Sequence, residues 1–159
     1  MNDFLIIVIA GFFSCVALDF FGRVLLILFK IPEPSWGVVG RWVFYMVRRG
    51  TVFNPQISDA VPIAYEVKIG WAFHYLIAVV WAVAFHIFFV GYPLFELSYK
   101  NGLLFGALTT LAPLFIFMPF TGQGMLARKT QMPLLTSLIL LARHCVFGLA
   151  MFEAFSWFH

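Results

Sequence analysis

Charge is scarce in this sequence. Only 11% of its 159 residues are charged, 63% are hydrophobic, and the mean hydropathy is +0.97. A water-soluble domain carries about a quarter charged residues, so a soluble enzyme or binding module is excluded and the chain is assigned to a bilayer. Cysteine is nearly absent as well. Cys15 and Cys145 both fall inside apolar runs, which rules out a disulfide framework or a zinc ribbon and leaves each as a small hydrophobe. The net charge of +3 comes from basic flanks of apolar runs, so no nucleic-acid partner is expected. Motifs of chemistry are missing too: there is no CxxCH haem attachment, no HExxH helix, no serine-histidine-acid order and no paired carboxylates. The sequence therefore disfavours an enzyme and gives no positive reason to expect a cofactor.

What is present is a set of long apolar runs. The start, "MNDFLIIVIAG", has no basic segment before its apolar run and no small-x-small cleavage site, so it reads as a retained helix and not as a signal peptide. Four spans are expected, at about 4–29, 70–90, 102–120 and 134–157, in a single all-α domain covering 1–159. The prolines of "IPEPSW" stop the first, "GYP" ends the second, and the third contains Pro113 and ends at Pro119. Basic residues set the orientation. Lys30, Arg41, Arg48, Arg49 and Lys68 lie between the first and second spans, and Arg128 with Lys129 between the third and fourth. The connection between the second and third holds only Lys100, beside Glu96. The positive-inside rule puts the first and third loops in the cytoplasm and both termini outside it.

Inside the first loop, "SWGVVGRWVFYMVRRG" predicts a short amphipathic helix over 36–49, with Ser35 as N-cap and Gly50 just past its end. Its place is the cytoplasmic interface, with Trp36, Arg41, Trp42, Arg48 and Arg49 as lipid contacts.

Counting at 1.5 Å per helical residue puts Asp19, Arg143 and His144 at one level, roughly 15 Å in from the cytoplasmic side and near the bilayer centre. A lone ionised side chain there costs a few kcal/mol or more, so partners are required. Asp19 is expected to pair with Arg143, His144 or both. Arg23, one turn after Asp19, and His74 in the second span complete an expected intramembrane cluster. Gln123, in "TGQGM", can approach it from below. Nearer the outside, His86 and Glu153 share a depth and form a candidate outer pair. His159, at the end of the sequence, is assigned no role. Small residues mark packing faces: Gly11, Cys15 and Asp19 in the first span, and Gly102, Gly106 and Thr110 in the third. Against a functional site stands a simpler reading, in which a buried ion pair only fixes which helix face turns inward.

The succession "ALDFFGRVL", "GRW", "EVKIGWAFHY", "APLFIFMPFTGQG" and "HCVFG" resembles a family of small bacterial inner-membrane proteins catalogued as domain of unknown function 2938. The resemblance covers nearly the whole chain and implies four membrane helices in a bacterial inner membrane. It supplies no activity. It singles out Asp19, His74 and His144, which depth counting selects separately. Members of the family often carry a histidine near the position of Asn54; this chain does not, and any ligand or proton-carrying role there is lost.

Transport or permeation of a small solute, ion or proton is the first functional expectation, because a mid-membrane set of acids and bases can titrate and exchange partners. Pro113 and the nearby glycines are expected to break the third helix and expose carbonyls to a cavity. The row from Gly102 to Gly106 is one candidate contact for a homo-oligomer. A metal or haem site is the alternative, with His74, His144, Asp19 and Glu66 as candidate ligands. The remaining reading is a helper that binds membrane lipids or stabilises a partner through the arginine- and tryptophan-rich helix.

Overall fold

The computed structural model describes residues 2–158; His159 lies outside them. Among the described residues every regular element is helical. The order is α1 (Asp3–Phe29), α2 (Trp36–Arg49), α3 (Glu66–His86, continued by a π-turn at Ile87–Gly91), α4 (Tyr99–Thr109, continued to Phe120), a 3₁₀ turn at Met125–Ala127, and α5 (Pro133–Ser156). Four of these are long and apolar enough to cross a membrane: Asp3–Phe29, Glu66–Gly91, Tyr99–Phe120 and Pro133–Ser156. The surface agrees with that reading. Phe4, Phe20, Leu28 and Leu134 are all exposed, a distribution that water would penalise and hydrocarbon would not.

Helix ends follow local chemistry. Asn2 caps α1 by accepting the Phe4 N–H at 2.9 Å. Lys30 closes it in the left-handed conformation, with φ 58°, a conformation that costs a non-glycine residue about 1–2 kcal/mol. Gly50 ends α2 at φ 63°, as expected, whereas the Ser35 side chain makes no capping bond. Helix α3 starts earlier than the hydropathy pattern suggests, at Glu66, whose carboxylate reaches back to the Ile63 N–H at 3.0 Å.

Pro113 does not break the third span. Helix α4 instead widens into a π-turn at Pro113–Phe117 and continues. A proline lacks the N–H and crowds the preceding turn, and one wider turn absorbs both problems without opening the backbone.

The chain divides into two compact units, with three of the four boundaries inside helical spans and the fourth between α1 and α2. The first comprises Met1–Glu33, Tyr75–Thr110 and Leu141–His159. Its core holds Ile6, Ala10, Cys15 and Leu18 of α1, Ala78, Ala82 and Phe85 of α3, Phe105 of α4, and Phe147, Met151 and Phe155 of α5. Helices α4 and α5 meet at glycines. A Cβ on Gly106 would collide with the His144 carbonyl and lie 3.0 Å from the Gly148 backbone. The row from Gly102 to Gly106 is therefore filled by α5 of the same chain and is not free for a second copy, which corrects the expectation that it joins two protomers. The second unit comprises Pro34–His74 and Leu111–Leu140, with Leu114, Met118 and Ala127 as its small core.

Candidate functional site

In the first unit, Asp19 of α1 accepts a hydrogen bond from the Tyr75 phenol of α3 at 3.3 Å on Oδ2. Its Oδ1 lies 3.9 Å from Nη2 of Arg143 on α5. Three helices thus deliver one acid, one phenol and one guanidinium to the same place. Arg143 is 5% exposed, and it fits because α1 has no side chain beneath it. A Cβ at Gly22 would stand 2.8 Å from both Cζ and Nη2 of Arg143. Cys15, one turn before Asp19, is fully buried.

The pair is loose. At 3.9 Å it exceeds hydrogen-bond length, and among the described residues no hydrogen bond from Arg143 accompanies it. No fully enclosed side-chain nitrogen or oxygen in those residues lacks a partner, so the guanidinium nitrogens keep a small opening to their surroundings. Five N–H donors remain largely unspent in a buried position.

Arg23 does not join this group. Its side chain is 57% exposed, and Nε sits 3.4 Å from Glu33. Glu33 also contributes negative charge to the surroundings of Arg143. The left-handed cap at Lys30 turns the chain sharply there, and Glu33, between its two prolines, follows. In sequence, "IPEPSW" reads as a helix stop; the further signal in it is an acid held rigidly between two prolines.

The second unit holds a different polar site. Arg41, expected on lipid headgroups, is 6% exposed. Its Nε and Nη2 donate to the two carboxylate oxygens of Glu66 at 2.9 and 3.1 Å. Its Nη1 donates to the carbonyls of Ile57 at 3.0 Å, of Ser58 at 3.3 Å, and of Ala60. Hydrogen bonding to Glu66 raises the pKa of Arg41 above its ordinary value. Trp42 is turned inward too, at 6% exposure, and its indole donates to the Val52 carbonyl at 2.7 Å. Both expected lipid contacts are therefore corrected. The face of α2 was chosen by an acid 25 residues away, which helical spacing within α2 does not reveal. Glu66 also leaves the set of metal candidates, because both its oxygens are occupied by Arg41 and one by Ile63 as well.

His74 lies in the second unit, half-buried, with its ring 4.4 Å from that of Trp36 and 5.8 Å from Trp71. His144 is half-buried on α5 in the first unit. His86 faces Asp3 at 3.9 Å, while Glu153 lies beside the Tyr99 phenol, so each member of the candidate outer pair has another neighbour. Gln123 donates to Thr121 at 3.2 Å. Arg48 and Arg49 are exposed at the end of α2, with Arg49 over the Tyr45 ring. A cavity of about 330 Å³ in the first unit is lined by Trp81, Phe89, Phe105 and Leu108, with Asn101 and Thr109 as its polar groups; it suits hydrocarbon more than chemistry.

Comparison with protein families finds one whose model matches residues 7–157, described as "Protein of unknown function (DUF2938)". No curated protein and no solved structure matches the chain.

Proposed function

Because the chain belongs to the DUF2938 family, whose description carries no activity, we propose from its own residues that it lets a small solute, ion or proton cross the membrane through the site of Asp19, Tyr75 and Arg143. One observation carries this reading: Asp19 and Arg143 face each other at 3.9 Å without a hydrogen bond. A purely structural pair gains most from short, bidentate contact, and this pair forgoes it. Loose partners can exchange for a passing charge or proton at little cost.

The basic first and third loops support a cytoplasmic location for those loops, with both termini on the other side. In a bacterium the setting would be the inner membrane. Trp36, Arg48 and Arg49 on α2 are suited to headgroup depth there.

The test is flux in liposomes made with the purified chain. Asp19→Asn should abolish proton-coupled flux while the protein remains monodisperse and folded. Unchanged flux in that variant would sink the reading.

A further inference from the structure

We infer that the species bound at this site is a small planar oxyanion of the carboxylate type, taken up by Arg143 together with one proton on Asp19. The inference rests on the transport reading above and specifies its substrate. Arg143 is buried, is fixed over Gly22, and has donors that no described residue fills. A guanidinium offers parallel N–H groups that match two oxygens of one planar anion.

Charge balance supplies the proton. The resting pair is neutral, one guanidinium against one carboxylate. An entering anion would leave the site with a net negative charge, which the bilayer interior strongly disfavours. If a proton bonds to a carboxylate oxygen of Asp19, that charge is cancelled. The anion then takes the place of Asp19 against the Nη2 N–H, and the site stays neutral. Release reverses both steps, so one anion moves with one proton. Among the groups around Asp19 are Cys15 on its own helix, Tyr75 from α3 and Arg143 from α5, with Arg23 and Glu33 beyond them. Of these, Asp19 is the acid placed to trade its partner.

The experiment uses proteoliposomes of the full chain with nitrate as probe and a trapped pH indicator. Nitrate is planar and stays ionised, so any pH dependence belongs to the protein. Uptake should fall as pH rises, with one proton entering per nitrate. Arg143→Gln should lower uptake about 10- to 100-fold, the worth of a charge-assisted hydrogen bond, and Arg143→Lys should fall between. Asp19→Asn should abolish the proton that enters with nitrate and the pH dependence of whatever nitrate uptake remains. His74→Gln tests the histidine that precedes Tyr75 in the chain, and should leave the pH dependence in place.

Nitrate uptake that is independent of pH, unaffected by Arg143→Lys, or made pH-independent by His74→Gln overturns the inference. Proton flux without nitrate overturns the anion but leaves the pathway standing. Absence of both overturns the pathway as well. Should Arg143→Gln fail to fold, the lysine and Asp19→Asn variants still decide the matter.

Discussion

The two buried arginines of this protein make opposite use of one side chain. Arg41 spends its donors on two carboxylate oxygens and three carbonyls, while Arg143 has a single acid at 3.9 Å. They are almost equally buried, at 6% and 5% exposure. Burial alone therefore does not separate a staple from a site; the number of donors left over does. Arg41 ties α2, α3 and the loop between them into one rigid element. Arg143 is held by packing, chiefly over Gly22, and its polar groups remain available.

This contrast can be broken most directly at the acids. Glu66→Ala strands a buried guanidinium and should cost about 3–5 kcal/mol, read as a collapse of the thermal unfolding temperature in detergent. Asp19→Asn should cost only about 1–2 kcal/mol, since it breaks no hydrogen bond to Arg143. Equal losses in the two variants would erase the distinction. Double-mutant cycles sharpen it further. The coupling energy between Arg41 and Glu66 should be several times larger than that between Asp19 and Arg143, which should stay near 1 kcal/mol or below.

Next in size is Gly22→Ala. The new methyl group meets the Arg143 guanidinium, and the displacement should cost about 1–3 kcal/mol and disturb flux more than fold. The smallest effect is expected at the exposed end of α2. Arg48→Gln with Arg49→Gln should change stability by no more than about 0.5 kcal/mol, yet weaken any dependence of the protein on anionic lipid. The Arg41 pair also has a pH signature. Its pKa is raised in the folded state, so its contribution is complete below the unfolded value and fades only as pH rises through the folded one. Thermal stability should therefore show no loss assignable to Arg41 anywhere between about pH 6 and pH 10.

Much of the fold could be read from hydropathy, and the meeting of Asp19 with Arg143 from depth along two helices. Depth gives the level of a residue but says little about where its side chain points around the axis. Arg23 sits one turn from Asp19 and reaches out to Glu33 instead, because the left-handed cap at Lys30 redirects the chain in a way no periodicity encodes. Tyr75 is not marked as a site residue by its sequence, since a tyrosine in a span reads as an apolar group with a polar tip. On α2 the helical spacing was right and the facing was wrong. An arginine reads as a mark of the wet side, and only Glu66, distant in sequence, shows that it belongs inside.

The grip of Arg41 on its loop has a consequence for mutational tolerance. It recognises Ile57, Ser58 and Ala60 by their carbonyl oxygens alone, so it is blind to the side chains those positions carry. In a saturation screen, Ser58, whose side chain is exposed, should accept most replacements, while Arg41 itself should accept almost none. The loop can drift in sequence and keep its shape, because the instruction for that shape is written in the helix it wraps.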